Sequence, residues 1–293
     1  MTFNLKMKFD NFFIKLQKKS FQKKLKITNL TLSLFSILFL TNIVIEVEQD
    51  FNFFNLTFVE FLFCLFYYLS NALLWISFMR NNYSGSTKEY FYNWAYSKIG
   101  KYIPGGLMVF SVRFNQKIEK NKDPKNIFYG VLEEQFLTPA VAIISISFTF
   151  IFYNFFENQF IFFGSTMLAF YVFKKFYDKY SRNYTSLINS NLLFLTHLNL
   201  NFLFFFFVSD NLGIENSFQF ALLYFLAASL AIVFVGIPAG IGVREIIFYF
   251  ISGSLLMDSY VFSMMIRVRI ILLIFDLIFG LIGIIGTFSE KRD

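Results

Sequence analysis

Long apolar runs alternate with short polar stretches along this chain. A helix needs about 20 mainly apolar residues to cross the hydrocarbon core of a bilayer, and seven mainly apolar segments reach or approach that length. These segments are 27–45, 58–79, 127–153, 159–173, 187–208, 218–235 and 270–288. The pattern predicts an all-α polytopic membrane protein with about seven to eight transmembrane helices.

Two further apolar segments are interrupted by residues that destabilise a helix interior. We expect each segment, 90–110 and 236–257, to form a re-entrant or broken helical hairpin, because backbone groups freed at membrane depth must be satisfied by protein or water. The interrupting residues are Pro104, Gly105, Gly106, Gly236, Pro238, Gly240 and Gly242. Paired breaks of this kind in the two halves of a membrane chain are typical of the binding sites of transporters.

The helix that restarts after the second break, 246–257, has about 12 residues and is short for a crossing. We expect it to return as a hairpin, with Arg267 and Arg269 near the inner interface and the C-terminus outside. If it crosses fully, there are eight spans and the C-terminus is inside.

Charge predicts the orientation. The chain has a formal net charge of +7, and residues 1–26 hold eight lysines and one aspartate. We interpret 1–26 as a basic cytoplasmic segment, either an amphipathic helix on an anionic leaflet or a disordered tail. The next loop contains acidic residues and no Lys or Arg, so the positive-inside rule places it outside. A plasma (inner) membrane protein with a cytoplasmic N-terminus follows, and a nucleic-acid partner is not expected because the charge lies in one short segment.

Little in the sequence points to enzymatic chemistry. The single cysteine, Cys64, allows no disulfide within the chain, and no phosphate-binding loop or carboxylate-rich metal motif is present. His197 is interpreted as a helix-to-helix hydrogen-bonding residue. We therefore expect no metal, no cofactor and no catalytic residue, although a transferase remains one of the alternatives below.

Charged residues at the breaks are the candidate binding groups. Arg244 follows the second break and is predicted to clamp a lipid headgroup phosphate, since a guanidinium fork matches phosphate oxygens. Glu134 or Glu245 is its expected counter-charge in the empty site, and Lys101 and Arg113 are the cations predicted to bind the headgroup beside the first break. A purely structural Arg–Glu pair, and an interfacial anchor at Arg113, stay open.

Asp276 interrupts the last predicted span. A carboxylate at membrane depth is costly and marks either a proton site or the partner of an arginine. Both roles are kept as alternatives.

Three motifs together resemble the lysylphosphatidylglycerol synthase transmembrane family, the flippase-like membrane domain of multiple peptide resistance factors. They are Lys98-Ile-Gly-Lys-Tyr-Ile-Pro-Gly-Gly106 with Arg113 downstream, Val131-Leu-Glu-Glu134, and Gly236-Ile-Pro-Ala-Gly-Ile-Gly-Val-Arg-Glu245. The family often has Glu followed by Arg in the second motif, whereas Gln135 follows Glu134 here. The resemblance implies a flippase-like domain over 27–288, followed by a short tail, 289–293, and without the soluble aminoacyltransferase domain of fused members.

Three functions are compatible with these features. The first is a lipid transporter for cell-envelope biogenesis that admits an anionic phospholipid or a polyprenyl-phosphate-linked lipid to a cytoplasmic cavity and passes it to the other leaflet. The second is an accessory membrane subunit of a separate envelope lipid or glycan transferase. The third is a polyprenyl-phosphate-dependent transferase, which the missing nucleotide site disfavours.

Overall fold

The structure, a computed structural model, describes residues 56–100, 130–131, 133–156, 161–180, 191–214, 216–231, 243–252 and 258–289. These ranges contain helices and no strand. The α-helices are α1 (Phe58–Asn82), α2 (Thr87–Gly100), α3 (Thr138–Phe156), α4 (Ile161–Tyr180), α5 (Asn191–Asn211), α6 (Ser217–Ala231), α7 (Val243–Ser252) and α8 (Asp258–Ser289). A π-helical turn, Glu133–Leu137, precedes α3.

Apolar side chains cover the outside of the bundle as well as its core. Large apolar side chains are more than half exposed at Phe58, Leu73, Tyr171, Phe250 and Ile285. Exposing such side chains to water costs free energy, whereas exposing them to lipid does not. Within the described ranges, Phe58–Asn82, Asn191–Asn211 and Ser263–Thr287 are long and apolar enough to cross a membrane, and two shorter apolar helices accompany them. The all-α polytopic membrane fold predicted from the sequence is confirmed.

The ends of α1 define the two ends of the bundle. Thr57 caps α1 in a capping box with Glu60, and Asn211 at the end of α5 donates to the Thr57 hydroxyl at 2.8 Å. We call this the Thr57 end. Arg80 lies in the last turn of α1, and the opposite end, which we call the Arg80 end, also carries Lys88 and Lys174.

Paired contacts give the direction of the last helix. Arg267 of α8 binds Glu60 at the start of α1, and nine residues later Asp276 accepts a hydrogen bond from Tyr68, which lies eight residues after Glu60. Because the later residue of α1 contacts the later residue of α8, the two helices run parallel. The last helix therefore ends at the Arg80 end of the bundle.

Arg267 lies at the Thr57 end, opposite Arg80, so the prediction that both Arg80 and the pair Arg267 and Arg269 face the inner side does not hold for all three residues. Helix α7 runs antiparallel to α6, because Arg244 lies over Tyr224 while Phe248, one turn later, contacts Phe220, nearer the start of α6. The chain thus returns toward the Thr57 end before α8 begins. Both arginines are tolerated away from the Arg80 end because each is neutralised by a buried glutamate.

This direction supports the eight-span alternative, in which the C-terminus lies on the side of Arg80. We expect Asn81→Cys and Ser289→Cys, both at exposed positions, to react with a membrane-impermeant maleimide from the same side. Asn211→Cys, exposed at the Thr57 end, should react from the other side. The buried Cys64 is replaced by alanine in all three variants. If Ser289→Cys and Asn211→Cys reacted from the same side of the membrane, the parallel arrangement of α1 and α8 would be contradicted.

Three glycines bring α8 close to α2. An added Cβ would meet the side chain of Ile99 at Gly280 and that of Tyr92 at Gly286, whereas at Gly283 it would meet the backbone nitrogen of Tyr96. Small residues of this kind allow helix backbones to approach in a membrane. The close contact fixes α2, the start of the first broken segment, against the last helix.

Gly283→Ala is therefore expected to destabilise the protein, although alanine favours a helix by about 1 kcal/mol over glycine. The backbone of Tyr96 cannot rotate away as a side chain can, so overpacking should cost about 1–3 kcal/mol or more. The matched control is Gly164→Ala on α4, where an added Cβ meets nothing within 4 Å. Thermal unfolding in detergent should show a lower midpoint for Gly283→Ala only, and equal midpoints would contradict the close packing.

Candidate functional site

Arg244 is buried at the start of α7. It is 9% exposed, and its guanidinium carbon lies 5.3 Å from the ring centroid of Tyr224. Its nearest charged partner among the described residues is Glu245, at 3.5 Å from Nε to Oε1. Within the same ranges, neither Nε nor Nη2 of Arg244 donates a hydrogen bond. A buried cation with free donors is poorly satisfied, because desolvating a guanidinium is costly unless it is paired and hydrogen-bonded.

Glu245 is held by a different arginine. Arg269 on α8 binds it through both carboxylate oxygens, at 2.6 Å from Nε to Oε1 and 2.9 Å from Nη2 to Oε2. This bidentate geometry is the strongest arrangement for an arginine–carboxylate pair. Two arginines thus share one glutamate, and the group of Arg244, Glu245 and Arg269 carries one net positive charge. The sequence predicted Glu245 beside Arg244 but missed Arg269, which lies 24 residues away.

Tyr67 of α1 is near several of the candidate residues. It is within electrostatic range of Glu134 in the π-helical turn, of Arg244 on α7 and of Asp276 on α8. A π-helical turn is uncommon and often occurs at functional sites. The candidate residues Glu134, Arg244 and Asp276, predicted separately from the sequence, are therefore all within electrostatic range of one tyrosine of α1.

Asp276 is fully buried and accepts a hydrogen bond from the Tyr68 hydroxyl at 2.7 Å. The same hydroxyl lies 3.1 Å from the carbonyl oxygen of Leu272. Tyr68 is ten residues from the start of α1, which corresponds to about 15 Å along a helix and to the middle of a hydrocarbon core of about 30 Å. The carboxylate is therefore at the depth where charge is most expensive.

Lys98 approaches the same tyrosine from α2. Its Nζ lies 5.5 Å from the Tyr68 ring centroid and 4.3 Å from that of Trp94. It also donates to Oδ1 of Asn71 at 2.8 Å, as does the Trp94 indole at 2.8 Å. Two aromatic faces and an amide oxygen hold this ammonium, an arrangement that compensates partly for its lost hydration. Lys98 was not among the predicted headgroup-binding residues, because its partners on α1, Tyr68 and Asn71, are distant in sequence.

These donors determine the protonation of His197. Oδ1 of Asn71 accepts from the Trp94 indole and the Lys98 ammonium, neither of which can accept a hydrogen bond. The NH₂ group of Asn71 therefore faces Nε2 of His197, 3.5 Å away, and Nε2 is the acceptor. The ring proton is then on Nδ1, 3.0 Å from the Ser70 hydroxyl, which donates to the Tyr67 carbonyl at 2.7 Å. His197 is therefore a neutral residue that joins α5 to α1, in agreement with its sequence interpretation.

The position of Arg244 along the bundle follows from its contact with Tyr224. Tyr224, which it covers, is seven residues from Ser217, and Ser217 begins α6 beside Ser209 at the Thr57 end. Seven residues of helix correspond to about 10 Å. Arg244 is thus nearer the Thr57 end than the Arg80 end.

Several predicted residues fall outside the described ranges. They are the cations Lys101 and Arg113 and the interrupting residues Pro104, Gly105, Gly106, Gly236, Pro238, Gly240 and Gly242. The segments 1–26 and 27–45 also fall outside them, and all of these assignments stay predictions. Among the residues that are described, no three His, Cys, Asp or Glu side chains are grouped as a metal site.

One protein family matches the chain. The family model of the lysylphosphatidylglycerol synthase TM region matches residues 100–280, which include the second and third motifs, most of the first, and all of α3 to α7. None of the curated proteins and none of the solved structures gives a significant match. Because the matched residues are more than half of the chain, the resemblance is confirmed, and this membrane protein belongs to the family of the lysylphosphatidylglycerol synthase TM region.

Proposed function

We propose that the protein binds an anionic membrane lipid by its phosphate at Arg244 and moves it between the leaflets of the plasma membrane for cell-envelope biogenesis. A phospholipid or a polyprenyl-phosphate-linked lipid would meet the requirement for a phosphate attached to an apolar chain. Membership of a family of lipid-related membrane domains supports a lipid as the ligand.

The observation that carries this proposal is that two donors of the Arg244 guanidinium make no hydrogen bond within the described ranges. Arg244 is buried, the two donors are Nε and Nη2, and the neighbouring Glu245 is bound through both oxygens by Arg269. A phosphate would supply acceptors and neutralise the net charge of the group. Arg244 also lies in the first turn of α7, whose N-terminal partial positive charge favours an anion.

The surrounding fold is suited to movement of a headgroup across the bilayer. Polar and charged side chains from α1, α2, α5, α7 and α8 and from the π-helical turn meet around Tyr67 and Tyr68. A headgroup that leaves Arg244 would find polar partners there instead of hydrocarbon, which lowers the cost of crossing. The exposed apolar faces of α1 and α8 would leave the acyl or isoprenoid chains in lipid.

Lipid transfer in proteoliposomes tests the proposal. The purified protein is reconstituted with a fluorescent phosphatidylglycerol in the inner leaflet, and its appearance outside is followed by quenching from the outside. We expect faster transfer than in protein-free vesicles, and faster transfer than for the matched phosphatidylcholine, which carries no net charge. Transfer at the protein-free rate for both lipids and for a polyprenyl phosphate would reject transport and favour an accessory subunit of a separate transferase.

A further inference from the structure

Asp276 and Lys98 both contact Tyr68. The Tyr68 hydroxyl donates to Oδ1 of Asp276 at 2.7 Å, while the Lys98 ammonium lies 5.5 Å from the centroid of the same ring. The buried carboxyl group therefore has a hydrogen-bond donor at one oxygen and lies in a region that also holds an ammonium.

An anion bound at Arg244 would change this balance. Arg269, which shares Glu245 with Arg244, lies seven residues before Asp276 on α8, so the two side chains are on the same face of that helix, about 10 Å apart along its axis. A phosphate added to that region would repel the carboxylate, and like charges interact strongly where water is excluded. With all three carboxyl groups ionised, Lys98, Arg244 and Arg269 balance Glu134, Glu245 and Asp276, so a bound phosphate adds one negative charge to the region, which one proton on the carboxylate would cancel.

The other groups around Asp276 are less suited to this exchange. His197 on α5 already accepts from Asn71 at Nε2, so a proton there would set two donors against each other beside the Lys98 ammonium. Tyr67 and Tyr68 lose protons only at high pH. The titratable and charged groups facing the region are Cys64, Tyr67 and Tyr68 from α1, Lys98 from α2, Glu134 from the π-helical turn, His197 from α5, and Arg244 and Glu245 from α7, with Arg269 on α8 itself.

We propose that Asp276 is a proton site and that the protein takes up one proton on Asp276 for each anionic headgroup it binds. The proton comes from water and forms the O–H bond of the neutral carboxylic acid, and no other bond changes. When the headgroup leaves on the other side, the carboxylic acid releases its proton. This inference rests on the proposed function and makes the transporter a lipid and proton symporter.

Proton uptake on binding is the first test. Short-chain phosphatidylglycerol is added to the detergent-purified protein in a weakly buffered solution containing a pH indicator, with short-chain phosphatidylcholine as the control. We expect about one proton per phosphatidylglycerol bound, and none in Asp276→Asn. Binding without proton uptake in the unchanged protein would overturn the proposal. Uptake that persists in Asp276→Asn and is lost in Glu134→Gln would assign the proton to Glu134 instead.

Tyr68→Phe keeps the test decisive if Asp276→Asn does not fold. The phenylalanine ring still faces Lys98 but donates nothing to Asp276, and a hydrogen bond to a charged group contributes about 1.5–3 kcal/mol. Proton uptake on lipid binding should then begin about one pH unit higher, or more, than in the unchanged protein. An unchanged pH dependence would contradict the role of Asp276.

Transfer in vesicles separates this inference from the proposed function. An inward proton gradient should accelerate inward lipid movement several-fold, and the gradient should have no effect in Asp276→Asn. Lipid transfer that ignores the gradient would overturn proton coupling while leaving lipid transport intact. A protein that binds phosphatidylglycerol with proton uptake but transfers none would reject transport while retaining the proton site.

Discussion

Arg244→Ala is expected to reduce retention of anionic lipid by at least about 30-fold, which corresponds to about 2 kcal/mol for truncating one member of a buried charge pair. The reason is that no other described side chain presents unsatisfied guanidinium donors at this position. The fold should survive, because Glu245 keeps its two contacts with Arg269. Native mass spectrometry of the purified protein measures the retained lipid, and the vesicle assay then measures lipid transfer by the same variant.

The control variants separate charge from geometry. Arg244→Lys keeps the charge but loses the planar fork, so we expect partial retention of lipid. Arg80→Ala removes an exposed arginine at the other end of the same bundle and should leave retention unchanged. If Arg244→Ala and Arg80→Ala retain the same lipid as the unchanged protein, Arg244 is not the headgroup clamp.

Arg267→Ala is expected to cost about 3–5 kcal/mol of stability, because it leaves the carboxylate of Glu60 buried without its cation. Arg267 and Glu60 are 4% and 0% exposed, and they contact each other at 2.9 Å and 3.2 Å through separate oxygens. The unfolding midpoint in a mixed-detergent titration, followed by the fluorescence of the buried Trp75 and Trp94, reports this loss.

A double-mutant cycle isolates the ion pair from the helix cap. Glu60 also accepts a hydrogen bond from the backbone N–H of Thr57 at 3.0 Å, and glutamine can replace it in that capping box. We expect Glu60→Gln with Arg267→Gln to be more stable than either single variant, since neither charge is then unpaired. Asn211→Ala, which removes an exposed hydrogen bond at the same end, should cost less than about 1 kcal/mol. Additive losses from the two glutamine substitutions would show that the pair does not couple.

Local pattern was sufficient for the membrane class and for the main helices. The predicted span 58–79 corresponds to α1, Phe58–Asn82, and 187–208 overlaps α5, Asn191–Asn211. Apolar length decides these elements because transfer of a helix into lipid depends on its own side chains. The second motif drew attention to Glu134 and the third to Arg244 for a similar reason, since a charge next to a helix break in an apolar segment is unusual in any tertiary context.

The partners of those charges could not be predicted from the pattern. Arg267 and Arg269 were assigned to the inner interface because positive-inside reasoning treats each charge by itself, whereas Glu60 and Glu245 neutralise them within the bundle. Considering each charge separately also failed to identify Lys98 as a site residue, because its aromatic and amide partners come from α1 as well as α2.

By itself, then, the sequence determined an all-helical membrane protein, its family and the residues at which charge meets a broken helix. Only the tertiary structure decided that α8 runs parallel to α1, that Arg269 takes the carboxylate of Glu245, and that Asp276 meets Tyr68. The physical reason is that lipid selects helices by hydrophobicity, which is a local property. Helix direction and charge pairing depend on close packing between segments separated by as many as 208 residues. A local sequence pattern does not predict that packing.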